Sequence, residues 1–413
     1  MDEAKSERGS AVWMKMNKIA VPLLLFAFLF CMPIGAAAND ELNDELADPV
    51  PEEEIEEKLL DKLSIEEINE FWGRIGSEYG EFIPDIKNKN LAELIKENGT
   101  ISFKSILKGV FTYLFYELIA NGKLLGTLII LTLFSVVLQS MHTAFEKSTV
   151  SNIAYFIVYI VLIYITLNSF YLVFTYAKDT IELMSSFMIA LLPLMLGLIA
   201  TFGQVITVSF FHPIIIFLIH VSGILMTSFV FPLLYLSALL IIVSHLNKNF
   251  QATHLAELFR SISIGTVGLF LTIFLGVMSV QGTATAIQDG VALKTTKFIT
   301  GNFIPVVGRT FTDAADTALA AAQLLKNAVG IIGLTIIVVI AVFPAIKIVA
   351  ISFVYKLAAA LLQPLGNSPI IASLNIISKY ILYILACLIT VTFMFFLSIV
   401  IIIIASNIPL LLR

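Results

Sequence analysis

Apolar residues dominate this chain in long runs rather than in alternation, and the runs set the architecture. Spanning candidates fall at 124–141, 153–176, a continuous apolar region over 183–246, 264–280, 329–354 and 380–405. A bilayer's hydrocarbon core takes about 20 residues of helix, so each run is long enough to cross. The region 183–246 has room for two spans and a re-entrant piece, or for three spans. Pro193, Gly197, Gly203, Pro213 and Pro232 interrupt it, and in lipid such breaks need neighbouring helices to satisfy the freed backbone groups. The pattern predicts an all-α polytopic membrane protein with seven or eight transmembrane helices.

The amino-terminal segments read differently. Lys15 and Lys18 precede the short run IAVPLLLFAFLFCMPIG, and Ala36-Ala37-Ala38 follows it. A basic start, a short apolar stretch and a small-residue ending make residues 1–38 a signal peptide, those before Met14 or Met16 reading as an extension of the start. The segment 39–104 is thereby carried outside the cytoplasm. It opens with the acidic, Pro-punctuated NDELNDELADPVPEEE, which reads as disordered. Ile55, Leu59 and Leu63 then recur at helical spacing. Ser64 with Glu67 makes a capping box for a helix whose Ile68, Trp72, Ile75 and Tyr79 share a face. Leu91, Leu94 and Ile95 mark a third short helix ending at Gly99. So short a segment buries little core unaided; it reads as a small acidic helical ectodomain that docks on a partner or the membrane. Residues 105–122, aromatic and carrying Lys108 and Glu117, suit an amphipathic helix lying in the interface. The multispan domain is then 123–413.

Composition settles the class. The chain is 58% hydrophobic and 13% charged, with a mean hydropathy of +0.95, where soluble domains carry about 25% charged residues. The net charge of −5 is local: residues 39–104 hold 19 acidic against 7 basic residues, and the rest has a slight basic excess. No basic run with interleaved aromatics supports nucleic-acid binding. Cys31 lies in the signal peptide, without a lipobox before it, which leaves Cys387 with no intramolecular partner. The five histidines have no metal-ligand spacing. HExxH, GxGD and P-loop motifs and a convincing Ser nucleophile are absent, so neither an enzyme, a cofactor nor a metal is expected. Loop charge leaves the orientation open. With three spans in 183–246, cytoplasmic loops hold Lys147, Lys248, Arg260, Lys356 and Lys379, and the stretch 283–328 lies outside. With two, that stretch falls inside.

The candidate chemistry sits in that central stretch and the helix after it. Residues 289–333 are rich in Thr, Ala, Gly and Asn and carry Asp289, Lys294, Lys297, Arg309, Asp313, Asp316 and Lys326 between two apolar runs. Polar backbone and charge at membrane depth are tolerated only inside protein or along a wet cavity. Thr312 or Asp313 can cap a helix on which Ala314, Ala318 and Ala322 form a small-residue stripe suited to close helix packing. Lys347 follows Pro344 in an otherwise apolar helix and must snorkel, pair or face water; Asp313 and Asp316 are candidate partners. The residues singled out for lining a pore or for packing are Asp289, Gly301, Asn302, Pro305, Gly308, Asp313, Asp316, Lys326, Asn327 and Lys347. Residues 177–282 and 287–405 also read as two copies of one unit. Pro193 and Pro232 match Pro305 and Pro344 at equal spacing, as in transporters built from internal repeats.

At FxTGNFIPVVG, the helix start TDAADT and the run KNAVGIIG, the sequence resembles the stage III sporulation protein AE family of endospore-forming bacteria. The layout of signal peptide, acidic ectodomain, multispan domain and apolar last helix agrees over nearly the whole chain. The resemblance implies a multi-pass protein of the mother-cell membrane around the forespore. It also implies partners: a cytoplasmic secretion-type ATPase, small membrane proteins and ring-forming intermembrane proteins, with homo-oligomers as a further option. The implied role is a channel or permease-like subunit supporting forespore development and late forespore gene expression. A non-conducting scaffold for the secretion-like complex is the alternative. No catalytic residues come with the resemblance.

Overall fold

Helix continuity is what the sequence pattern underestimates. The computed structural model describes residues 66–84, 86, 103–144, 149–201, 203–246, 252–303, 307–365 and 369–411, with backbone alone over 66, 103–104, 139–144, 149–152, 155, 245–246, 286, 293, 296–303, 307–322, 365 and 408–411. The signal peptide, the helices expected around Ile55 and Leu91, and the cap residue Ser64 lie outside these residues. The described elements are all helices: α1 (Glu66–Tyr79), α2 (Phe103–Ala120), α3 (Gly122–Ala144), α4 (Thr149–Thr201), α5 (Val205–Ile224), α6 (Phe231–Leu246), α7 (Thr253–Phe303), α8 (Val307–Leu362) and α9 (Pro369–Leu411). Five helical runs are long and apolar enough to cross a membrane, or six when α2 and α3, bent by 40° at Asn121, count as one. Seven or eight spans were the expectation. The difference lies in α4, whose 53 residues run for about 80 Å and join two of the expected spans.

The join is Ala177–Glu182, which looks like a loop because Lys178, Asp179 and Glu182 are charged. It contains neither Gly nor Pro, and Lys178 pairs with Glu182 one turn on at 3.7 Å along an exposed edge. Such spacing supports a helix. The region 183–246 accordingly holds the second half of α4 and a single further helical run. That run absorbs Pro232 through a widened π-helical turn, Leu225–Val230, in which the Phe231 N–H reaches the Met226 carbonyl. A proline has no N–H to donate and crowds the carbonyl one turn back, and the wider turn relieves both. Between α4 and α5 the chain reverses at Gly203, whose φ of 74° is a left-handed conformation that side chains with a Cβ resist.

The long helices run alternately up and down. α8 lies antiparallel to α4, with Gly333 against Leu191 and Lys347 over the Tyr176 ring. It is also antiparallel to α9, with Ser352 bonded to Ser378 and Gly330 against Ile403. The α5–α6 run returns along α4, where Phe174 meets Phe231 and Tyr159 reaches the Ile242 carbonyl. α7 lies beside α9, with Gly282 against Ile401. Two glycines of KNAVGIIG therefore form a seam where α8 meets α4 and α9. Both Phe-Pro pairs of the suggested repeat sit inside helices of the same direction, while positions 177 and 287 fall within α4 and α7.

The segment before the bundle packs onto it. Ile68, Trp72 and Ile75 of α1 are buried, the residues whose spacing predicted a shared face. Phe71 meets Phe187 edge-on at 5.3 Å, and Tyr79 stacks on Phe343 at 4.1 Å. Gly109 of α2 lets the chain at Phe82 pass: a methyl group there would stand 2.5 Å from the Phe82 carbonyl oxygen. Gly109→Ala is expected to cost about 1–3 kcal/mol and to expose the 66–86 segment to protease. Gly126→Ala on α3, where nothing lies within 4 Å, serves as the neutral control in the same thermal-unfolding and proteolysis assay.

Candidate functional site

Two groups of polar side chains are built into the helix bundle. The first lies where α5 begins and α9 ends. The first turn of a helix leaves backbone N–H groups without partners, and Gln204, at the capping position of α5, makes no side-chain cap. Asp289 of α7 supplies it instead. Its carboxylate is 1% exposed and accepts from the N–H groups of Ile206 (3.2 Å) and Thr207 (2.8 Å). A carboxylate at a helix N-terminus is favoured by the helix dipole as well as by those bonds. Gln204 donates through Nε2 to the Ser406 carbonyl at 2.7 Å. On the next residue of α9, Asn407 Oδ1 accepts from the buried Lys326 Nζ at 2.5 Å. Asp289, Gln204, Lys326 and Asn407 thus tie α5, α7, α8 and α9 together.

The second group surrounds Lys347, one turn past Pro344 on α8. Its Nζ lies 3.7 Å from Glu117 Oε1 of α2 and 4.7 Å from the centroid of the Tyr176 ring of α4. Glu117 is 4% exposed and is held further by Asn121, whose Nδ2 donates to the Glu117 carbonyl at 2.8 Å and approaches Oε2 at 3.4 Å. The same Asn121 side chain therefore takes up a carbonyl at the bend between α2 and α3. Directly adjoining, Phe343 is enclosed by Tyr79, Phe82 and Tyr113. The Tyr79 hydroxyl donates to Glu78 at 2.9 Å. Burial and that bond push its ionisation well above the ordinary tyrosine value, so it stays a donor.

The residues singled out from sequence are thus divided. Asp289, Lys326 and Lys347 anchor the two groups, and Asn327 follows Lys326 on α8. Gly301 and Asn302 are in the last turn of α7, and Gly308, Asp313 and Asp316 in the first turns of α8, with side chains outside those described; Pro305 is outside the described residues altogether. The acidic partner beside Lys347 is Glu117. Sequence reasoning missed Glu117, Gln204, Tyr176 and Asn407 as members of these groups. A signal existed for Glu117, the one acidic residue in 105–144; a lone acid in an apolar stretch calls for a partner.

A family model described as Stage III sporulation protein AE matches residues 86–406, a range that includes Glu117, Tyr176, Gln204, Asp289, Lys326 and Lys347. The chain belongs to the stage III sporulation protein AE family. A relative from Bacillus subtilis (strain 168), also named Stage III sporulation protein AE, is 52% identical over 351 residues, covering 85% of this chain and 88% of the relative. No solved structure matches. The chain is therefore a sporulation protein whose structure carries five or six helices able to span a membrane.

Removal of the Asp289 cap and of the Lys347–Glu117 pair should be separable. Asp289→Ala leaves two N–H groups buried without acceptors and is expected to cost about 1–3 kcal/mol, with Asp289→Asn, which keeps one acceptor, losing less. Lys347→Met alone strands Glu117 and is expected to cost about 1–3 kcal/mol. That is below the 3–5 of a fully buried pair, because the Lys347 side chain keeps 33% exposure. In a double-mutant cycle read by thermal unfolding, adding Glu117→Gln should recover much of that loss; full additivity would contradict the pairing.

Proposed function

We propose that this protein is the multi-pass subunit of a sporulation membrane complex joining mother cell and forespore, and that it acts there as a channel or permease-like component. Family membership supports the sporulation role. The observation that carries the channel reading is the placement of ionisable groups on α8: Lys326 and Lys347 are both turned into protein and lie 21 residues apart. That is about 32 Å of helix, close to the thickness of a bilayer's hydrocarbon core. Ionisable residues inside membrane helices are rare and commonly mark substrate or ion pathways. The partners of this reading are a cytoplasmic secretion-type ATPase, small membrane proteins and ring-forming intermembrane proteins. Its location is the mother-cell membrane around the forespore.

One observation favours the scaffold as a second reading. Between the two lysines α8 buries Val329, Ile332, Ile336, Ile337, Val339, Ile340 and Phe343, an apolar fill with Lys326 and Lys347 each held by a protein partner. A path through the middle of one chain is therefore disfavoured. A conducting path in the first reading runs beside the stretch 289–328 or between chains.

Charge supports one orientation for both readings. Arg260, Lys356 and Lys379 lie towards the end of the bundle where α6 passes to α7 and α8 to α9, and basic residues mark the cytoplasmic side. α1, with Glu67, Glu70, Arg74 and Glu78 exposed, contacts Phe343 and Phe187, on the other side of Lys347 from that basic end. An exported amino-terminal segment belongs there. The stretch 289–328 then faces outward, into the intermembrane space. In Cys387→Ser protein, a cysteine at Asp316 is expected to react with an impermeant thiol reagent from outside the mother-cell membrane, and one at Lys356 only after permeabilisation; the reverse would overturn the orientation. For the channel itself, Asp313→Asn and Asp316→Asn, in the stretch beside which the path runs, are each expected to reduce tracer passage into the forespore while the complex still co-purifies. Loss of the complex along with passage would instead support the scaffold.

A further inference from the structure

A stripe of α9 outside both groups gathers three cations from three helices. Asn375, Lys379 and Tyr383 are spaced by four residues, so they line one face of α9 over about 12 Å. Lys356 of α8 comes to the first of them, its Nζ donating to Asn375 Oδ1 at 2.6 Å. Arg260 of α7 comes to the last, its guanidinium 5.8 Å from the Tyr383 ring centroid. Lys379 itself stands between them, exposed, and feels the charge of both. Among the described residues none of the three has a carboxylate within ion-pair distance. Glu257, exposed one turn before Arg260, does not close on it.

Three like charges held side by side repel one another, and the fold has spent side-chain contacts on bringing two of them to this stripe. An anion set among them would offset that repulsion. The flanks say which anion. Phe353, one turn before Lys356, is 50% exposed, and Leu382, next to Tyr383, is 43% exposed. Basic side chains between membrane helices with exposed apolar residues alongside match a lipid: phosphate on the cations, acyl chains on the helix faces. Tyr383, partly exposed, adds an amphipathic ring of the kind that settles at headgroup level. We propose that Arg260, Lys356 and Lys379 form a binding site for the phosphate headgroup of an anionic phospholipid. This assignment does not rest on the channel reading.

The test is a titration of the purified full-length protein in neutral detergent with fluorescently labelled phosphatidylglycerol, against phosphatidylcholine and inorganic phosphate. Each basic residue near an anionic surface contributes about a fivefold gain in affinity. The triple variant Arg260→Gln, Lys356→Gln and Lys379→Gln is therefore expected to weaken phosphatidylglycerol on the order of a hundredfold. The charge-keeping variant Arg260→Lys, Lys356→Arg and Lys379→Arg is expected to retain a phosphatidylglycerol preference. Equal binding of phosphatidylglycerol by wild type and the Gln variant, or equal binding of phosphatidylcholine by wild type, would overturn the site. Displacement of the lipid by an equal concentration of inorganic phosphate would mean a free-anion site and overturn the lipid assignment. If the Gln variant does not fold, the salt dependence of wild type decides: the preference should fade as ionic strength rises from about 0.01 to 1 M, and a preference unmoved by salt overturns the proposal.

Discussion

Backbone peptide groups in an apolar surrounding must be hydrogen-bonded, and the features of this bundle follow from that constraint. It makes continuing a helix less costly than ending one. α4 therefore runs through the charged residues Lys178 to Glu182 instead of turning. The α5–α6 run passes Pro232 by widening one turn rather than breaking. Where a helix must start inside the bundle, at Val205, its first N–H groups are met by the Asp289 carboxylate from α7. Where one must bend, at Asn121, a side-chain amide takes the Glu117 carbonyl. Asp289 and Asn121 are polar residues kept in the bundle that each supply a partner to backbone groups.

The same economy explains how the 66–86 segment is joined to the long helices. Glu117 is bonded by Asn121 at the bend and lies beside Lys347, which stands over Tyr176. One buried carboxylate thereby links α2, α8 and, through the lysine, α4. The aromatic contacts of Tyr79 and Phe82 with Phe343 sit next to it. A displacement of the 66–86 segment would therefore be felt at Pro344 and Lys347. This is a short mechanical route from that segment to α8, available to a conducting subunit and to an assembly platform alike.

Much of this could be read along the chain, and the remainder could not for identifiable reasons. The membrane class followed from run length, and α1 from the spacing of Ile68, Trp72 and Ile75. The run KNAVGIIG, noticed as a family feature, proves to be a packing seam, because Gly330 and Gly333 admit Ile403 and Leu191. Span number was misjudged where charge was taken for a loop, since an ion pair one turn apart supports a helix as readily as it marks a surface. The partners of Asp289 and Lys347 come from distant parts of the chain, and periodicity carries no information about them. Glu117 was visible as a lone acid, but only the fold gives it Lys347.

The continuity of α4 is the claim on which the arrangement stands, and a distance measurement addresses it directly. Spin labels at Val161 and Ile189, both exposed on α4, flank the charged segment in otherwise cysteine-free, full-length protein. They are 28 positions apart in sequence, so an unbroken helix separates their backbones by about 42 Å. A pulsed electron-resonance distribution centred near that value is the predicted result. A distribution centred below about 25 Å would mean that the chain turns at 177–182, and would contradict the five-helix bundle.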